Sequence, residues 1–169
     1  MRQDHPTSTQ TVPQMARGAL YGVCGLVLLS LLTSCSLGVR TRALTGGKLQ
    51  VDVRVADTAN HNRPVAMDVL LVYDKELLRE LVKLSANEWF EKRDQFRRDD
   101  PQGEAFQCWS WEWIPGQRQL LELPLQVKAK SGLVFAQYAA RGEHRARLEP
   151  HTSVVIELQE KTFSVRPIP

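Results

Sequence analysis

The stretch KLQVDVRVADT, residues 48–58, alternates without a fault. Leu49, Val51, Val53 and Val55 fall on one side, and Gln50, Asp52 and Arg54 on the other. A period of two matches a strand with one face in a core and one in water, and no helix can present it. The same signal returns along the chain. VAMDVLLVYD (65–74) is more continuously apolar, as a strand covered on both faces would be. FQCWSWEWI (106–114) and RQLLELPLQV (118–127) follow, separated by Pro115-Gly116, residues suited to the centre of a type II turn. These two are expected to pair as a hairpin. SGLVFAQYAA, a turn at RGE, HRARLEP, and then TSVVIELQ and KTFSVRP complete the chain, the last two as separate strands or one bent strand. Seven to eight short strands at regular spacing predict a mainly β protein, a β-sandwich.

One segment breaks the period. In KELLRELVKLS, Leu77, Leu78, Leu81, Val82 and Leu84 recur at helical spacing behind Asp74, an expected N-cap. SANE at 85–88 is a capping-box sequence and marks a second start. A helical insertion over about 75–98, with a kink near Ser85, therefore follows the second strand. Trp89, Phe90 and Phe96 supply its apolar side.

The N-terminal part carries a different message. From Gly18 to Leu32 the chain reads GALYGVCGLVLLSLL, without a charge. As a helix it reaches only about 22 Å, short of a hydrocarbon core of roughly 30 Å. Arg17 precedes it and small residues follow, the layout of a cleavable signal. Its end, Leu32-Thr33-Ser34-Cys35, resembles the bacterial lipobox. That resemblance implies a signal peptide over 1–34 and a covalent diacylglycerol and fatty acyl group on Cys35. It also implies a lipid-anchored position on the periplasmic face of the outer membrane, which Ser36 permits. Several acyl chains at about 0.8 kcal/mol per buried methylene anchor a domain stably. MARGAL makes Met15 an alternative start to Met1. Residues 35–47 then read as a lipidated tether, and 48–169 as the folded domain.

Removing Arg2, Arg17 and Asp4 with the leader turns 22 basic and 19 acidic residues into 20 and 18. The charges are interspersed, and no basic stripe points to nucleic acid. Cys24 leaves with the leader and Cys35 is acylated, so Cys108 has no disulfide partner in its chain. His61, His144 and His151 are scattered and expected at exposed turns, without metal-ligand spacing. No nucleophile elbow, phosphate loop or zinc motif is present, so no catalytic residue and no further cofactor is assigned and the chain is not read as an enzyme. Two features remain. Trp109, Trp111 and Trp113 share one strand face, either as inter-sheet core or as an aromatic platform for glycan or peptide. The solvated look of Ser110 and Glu112 opposite favours core. The polar loop 57–64 gains nothing from burial and is a recognition candidate.

Taken in order, RPVAMDVLLVY, the Trp-Phe of SANEWF, IPGQRQLLELPL and GLVFAQYAARGEHRARL resemble the type VI secretion lipoprotein family (TssJ, also SciN or VasD) over about 49–166. CWSWEW has no counterpart there. The resemblance implies a transthyretin-like sandwich without enzymatic activity. Its role would be to hold a secretion complex to the outer membrane by binding the periplasmic part of an inner-membrane subunit (TssM). By the same resemblance the loop between the first two strands meets the partner, with Asn60, His61, Asn62 and Arg63 as contacts. The alternatives are a glycan- or peptide-binding lipoprotein and a pilotin-like secretion chaperone.

Overall fold

The computed structural model describes residues 47–168. The signal segment, Cys35 and nearly all of the tether lie outside the described residues. Eight strands form two four-stranded sheets. The first has the order β4-β1-β7-β8, with β1 Gly47–Val55, β4 Arg118–Leu125, β7 Val154–Leu158 and β8 Phe163–Pro167. The second has the order β3-β2-β5-β6, with β2 Val65–Val72, β3 Phe106–Trp113, β5 Ser131–Gln137 and β6 Arg145–Leu148. Residues 152–167 thus make two strands, β7 and β8, paired antiparallel from Val154↔Pro167 to Leu158↔Phe163. β1 begins at Gly47, one residue inside the expected tether.

The alternating residues of β1 behave as their period requires. Leu49, Val51, Val53 and Val55 enter the space between the sheets. They meet Leu121, Leu123 and Leu125 of β4, Ile156 and Leu158 of β7, and Val65, Met67, Val69 and Leu71 of β2. On the solvent face of β1, Asp52 is tied by Arg54 at 2.7 Å and Arg118 at 3.1 Å. These guanidinium groups, Arg118 first, outweigh the opposing effect of burial and hold the carboxyl below its usual range.

FQCWSWEWI and RQLLELPLQV do not form a hairpin. β3 pairs with β2, from Val65↔Trp113 to Val72↔Phe106, while β4 pairs with β1 in the other sheet. The connection is the expected tight turn: Gln117 N donates to Ile114 O at 3.1 Å, and Gly116 sits at φ +84. That is a type II geometry, whose twist splays its flanking strands where a hairpin needs the primed types. The turn therefore carries the chain from one sheet to the other, and leaves β3 and β4 as edges on the same flank.

The insertion is two helices, α1 Lys75–Leu81 and α2 Ala86–Asp99, separated at Val82–Ser85. Asp74 accepts from Leu77 N at 2.7 Å, and Ser85 with Glu88 closes a full capping box. The helices cover the outer face of the second sheet and build a second core of Leu70, Val72, Leu81, Trp89, Phe106, Leu133 and Phe135. Asp68, wholly buried in the middle of β2, accepts from Trp89 Nε1 at 2.8 Å and pairs with Arg93 at 3.1 Å. Among the described residues no helix is long and apolar enough to cross a membrane.

Candidate partner-binding end of the sandwich

The strand directions sort the connections by position. The β1–β2, β3–β4, β5–β6 and β7–β8 connections gather at one end of the sandwich. The chain enters the domain at the other end, at Gly47, where the helices also begin and leave. The length of β1 separates the two, about 30 Å for nine extended residues.

The β1–β2 loop is shaped from within. Ala59–His61 make a 3-10 turn, and Asn60, His61 and Asn62 all adopt left-handed φ values of 48, 56 and 60. Successive left-handed residues other than glycine are costly, about 1 kcal/mol each or more, and persist only where surrounding structure imposes them. Asn60 imposes it here. Its amide nitrogen donates to Pro64 O at 2.9 Å, and its amide oxygen accepts from Ala139 N at 2.8 Å. Its backbone N–H donates to Gln159 O at 3.2 Å. The loop is thereby fastened to both the β5–β6 and β7–β8 connections.

The four predicted contact residues consequently separate. Asn60 is 6% exposed and holds the loop's shape from inside. His61, Asn62 and Arg63 are exposed. His61 Nδ1 stands 3.2 Å from the Glu160 carboxylate, while Arg63 makes no side-chain bond among the described residues. Beside them, the β3–β4 turn is pinned to the root of the loop: Gly116 N donates to Val55 O at 3.2 Å and Val55 N to Gln117 O at 2.9 Å. It projects Ile114, 56% exposed.

His144 departs from its expected exposure. It is 8% exposed, stacked on Tyr138 at 4.8 Å, with Nε2 bonded to Ala140 O at 2.9 Å. Its Nδ1, the Tyr138 hydroxyl and Trp113 Nε1 are buried without partners among the described residues. Each such atom costs about 1–3 kcal/mol, and all three belong to residues at the loop end. Burial also pushes the Tyr138 hydroxyl pKa upward.

The tryptophans point inward. Trp113 is 3% exposed and belongs to the inter-sheet core, while Trp109 and Trp111 are half-buried against it. The opposite face is less solvated than Ser110 and Glu112 suggest. Phe106 and Cys108 meet the helices there, and Arg97 donates to Ser110 Oγ at 2.8 Å and to Cys108 Sγ at 3.3 Å. Burial raises the Cys108 thiol to about 11, so it is no nucleophile near neutral pH. Among the described residues no group of His, Cys, Asp and Glu stands together as a metal site. Asp68, Glu160, Ile114 and the burial of His144 escaped the sequence reading. Only Asp68 had left a trace, as a lone acid inside an apolar strand.

No protein-family model matches this sequence, and no curated protein matches it. Solved structures do. The T6SS lipoprotein TssJ1 from Pseudomonas aeruginosa superposes with TM-score 0.58 at 13% identity, over 73% of this chain and 98% of that one. The fold is that of the type VI secretion lipoproteins. Serratia marcescens Lip, a membrane-bound component of the Type VI Secretion System, is similar at TM-score 0.53 and 15% identity, over 73% of this chain and 98% of that one. A chain from the structure described as the T6SS protein TssM C-terminal domain (869-1107) from EAEC gives 0.55 at 19% identity, over 72% and 99%.

Proposed function

We propose that this protein is an outer-membrane-anchored lipoprotein of a type VI secretion complex. Its sandwich binds the periplasmic part of a TssM-like inner-membrane subunit, and it has no catalytic role. Acylated Cys35 holds the Gly47 end near the membrane, and the loop end faces away from it toward the partner. The observation that carries this reading is the placement of a rigid, strained, exposed loop at the end opposite the one where the chain enters, in a fold shared with T6SS lipoproteins. Strained loops and unsatisfied polar atoms concentrate where a surface is kept for recognition over stability. His61, Asn62 and Arg63 are the contact residues, and Asn60 presents them.

Affinity capture of the tagged protein from gently solubilised envelopes, with mass spectrometry, tests it. Recovery of the large inner-membrane subunit is expected, together with its loss when His61, Asn62 and Arg63 are replaced by Gly and Ser. Recovery of an outer-membrane channel alone would support a pilotin instead. A Cys35→Ala variant is expected to leave the membrane fraction. Retention there would remove the anchoring half of the proposal.

A further inference from the structure

β3 is an edge strand of eight residues with an open side. Its pairing with β2 shows which backbone groups face outward. Tyr73 N donates to Ala105 O, which makes Val72↔Phe106 a pair without mutual hydrogen bonds. Alternation then turns the N–H and C=O of Phe106, Cys108, Ser110 and Glu112 away from β2. The window is closed at both ends, because Phe106 N bonds Asp100 Oδ2 at 3.1 Å and Ile114 N bonds Gln117 Oε1 at 2.9 Å. Cys108, Ser110 and Glu112 keep their outward groups unpaired among the described residues. The other edges are defended: β4 carries Arg118 and Pro124, β6 has four residues, and β8 ends in Pro167. β3 has neither proline nor lysine.

We propose that β3 pairs antiparallel with β3 of a second copy of this chain about a two-fold axis at Ser110. Charge complementarity selects this occupant. With Ser110 opposite Ser110, Cys108 lies opposite Glu112 of the second copy, and Arg97 already reaches Cys108 Sγ. The Glu112 carboxylate thus meets a guanidinium, and the axis repeats the pair. On the inner face, Trp109 of each copy falls opposite Trp111 of the other, which covers the half-buried indoles with a cross-strand aromatic pair. Ile114 of the second copy arrives opposite Phe106, at the mouth of a cavity of about 470 Å³ lined by Arg97, Phe106, Cys108, Trp109 and Pro124. α2 packs over β5 and meets β3 on its outer face, through Trp89 at Phe106 and Arg97 at Cys108 and Ser110. Asp100 closes the Phe106 end, so the outward groups of Cys108, Ser110 and Glu112 stay clear. Such an isologous contact is self-limiting, because each copy has one such edge.

Antiparallel pairing turns the second copy end for end. The pair is therefore a form of copies released from both the large partner and a common membrane surface, and its test on the purified protein does not depend on the proposed function. The test uses the purified full-length protein with Ser110→Cys, oxidised and run on a non-reducing gel. Facing Cα atoms of such a pair lie about 5.5 Å apart, inside the disulfide range of roughly 4.4–6.8 Å. A cross-linked dimer is expected, well above wild type and above Lys83→Cys, an exposed control far from the edge. Adding Glu112→Pro is expected to abolish it with the circular dichroism unchanged, because an edge strand tolerates proline where its N–H faces solvent. Absence of the Ser110→Cys dimer, or a dimer indifferent to Glu112→Pro, overturns the pairing. A monomer would leave the edge to a strand from another protein or to solvent.

Discussion

Asp68 offers the sharpest test of how the helices are held. Its carboxylate is fully buried, accepts from Trp89 Nε1 at 2.8 Å, and pairs with Arg93, whose side chain is 30% exposed. Trp89 is itself fully buried, stacked on Phe135 at 5.2 Å and Phe96 at 5.8 Å, with Phe106 edge-on at 6.2 Å. Asp68→Ala strands an indole N–H and a partly buried guanidinium, which should cost about 3–5 kcal/mol. For a domain of this size that lowers Tm by on the order of 10 °C or more. Trp89→Phe keeps most of the stacking but removes the indole bond to Asp68 Oδ2, which then accepts from Arg93 alone at 3.1 Å, for about 1–3 kcal/mol plus the lost ring volume. The assay is urea unfolding followed by far-ultraviolet circular dichroism, with the midpoint compared at constant slope. The double variant should fall short of the sum by about 0.5–3 kcal/mol, since both changes remove one bond. Replacing Asp68 and Arg93 together by leucine should cost less than Asp68→Ala alone. Additive single effects, or a loss below about 1 kcal/mol for Asp68→Ala, would refute the claim that this carboxylate fastens α2 to the sheet.

Other expectations follow from the same geometry. Cys108, held protonated to about 11 by burial, should resist alkylation at pH 8 in the folded protein and react fully in urea; rapid native labelling would contradict its burial. The Asp52 carboxyl titrates below its ordinary 3.8, so its contribution is complete above about pH 4 and is lost as pH falls through the folded value. Asp52→Asn should therefore flatten the acid limb of stability below about pH 4, and an unchanged limb would count against the ion pairs. Gly116→Ala should cost about 1–2 kcal/mol from its φ of +84, and its new Cβ would stand 3.0 Å from Asp57 Oδ1. Asn60→Ala should lower stability by about 1–3 kcal/mol whereas Arg63→Ala should not, a contrast that thermal melts can read directly.

The strands were legible because burial is one-sided. In β1 each residue's polarity reports its face, so the sequence carried the register as well as the element. The helix starts were legible because Asp74 and the Ser85–Glu88 pair act within three residues of themselves. The β3–β4 hairpin was misread although its correction was present: Pro-Gly demands a type II turn, and that twist parts the strands. Asn60 was misread for the opposite reason. Its polarity suggested water, but its partner Ala139 is remote in sequence, and local composition cannot anticipate a bond between two loops. Trp109 and Trp111 lie between these cases, their face readable and their partial exposure set by β3 being an edge.

β1 is flanked on both sides, by β4 antiparallel from Gly47↔Leu125 to Arg54↔Arg118 and by β7 parallel from Val51↔Val154 to Val55↔Leu158. In the proposed function its N-terminal end, at Gly47, follows the lipidated tether, and its C-terminal end leads into the loop that would meet the partner. Tension between membrane and partner would run along this strand and load its ladders in shear, with every hydrogen bond resisting together. A strand at an edge, or one pulled from its side, would instead unzip bond by bond. Forced unfolding is governed by the barrier crossed, and this arrangement raises it along the one direction in which an envelope-spanning assembly would pull.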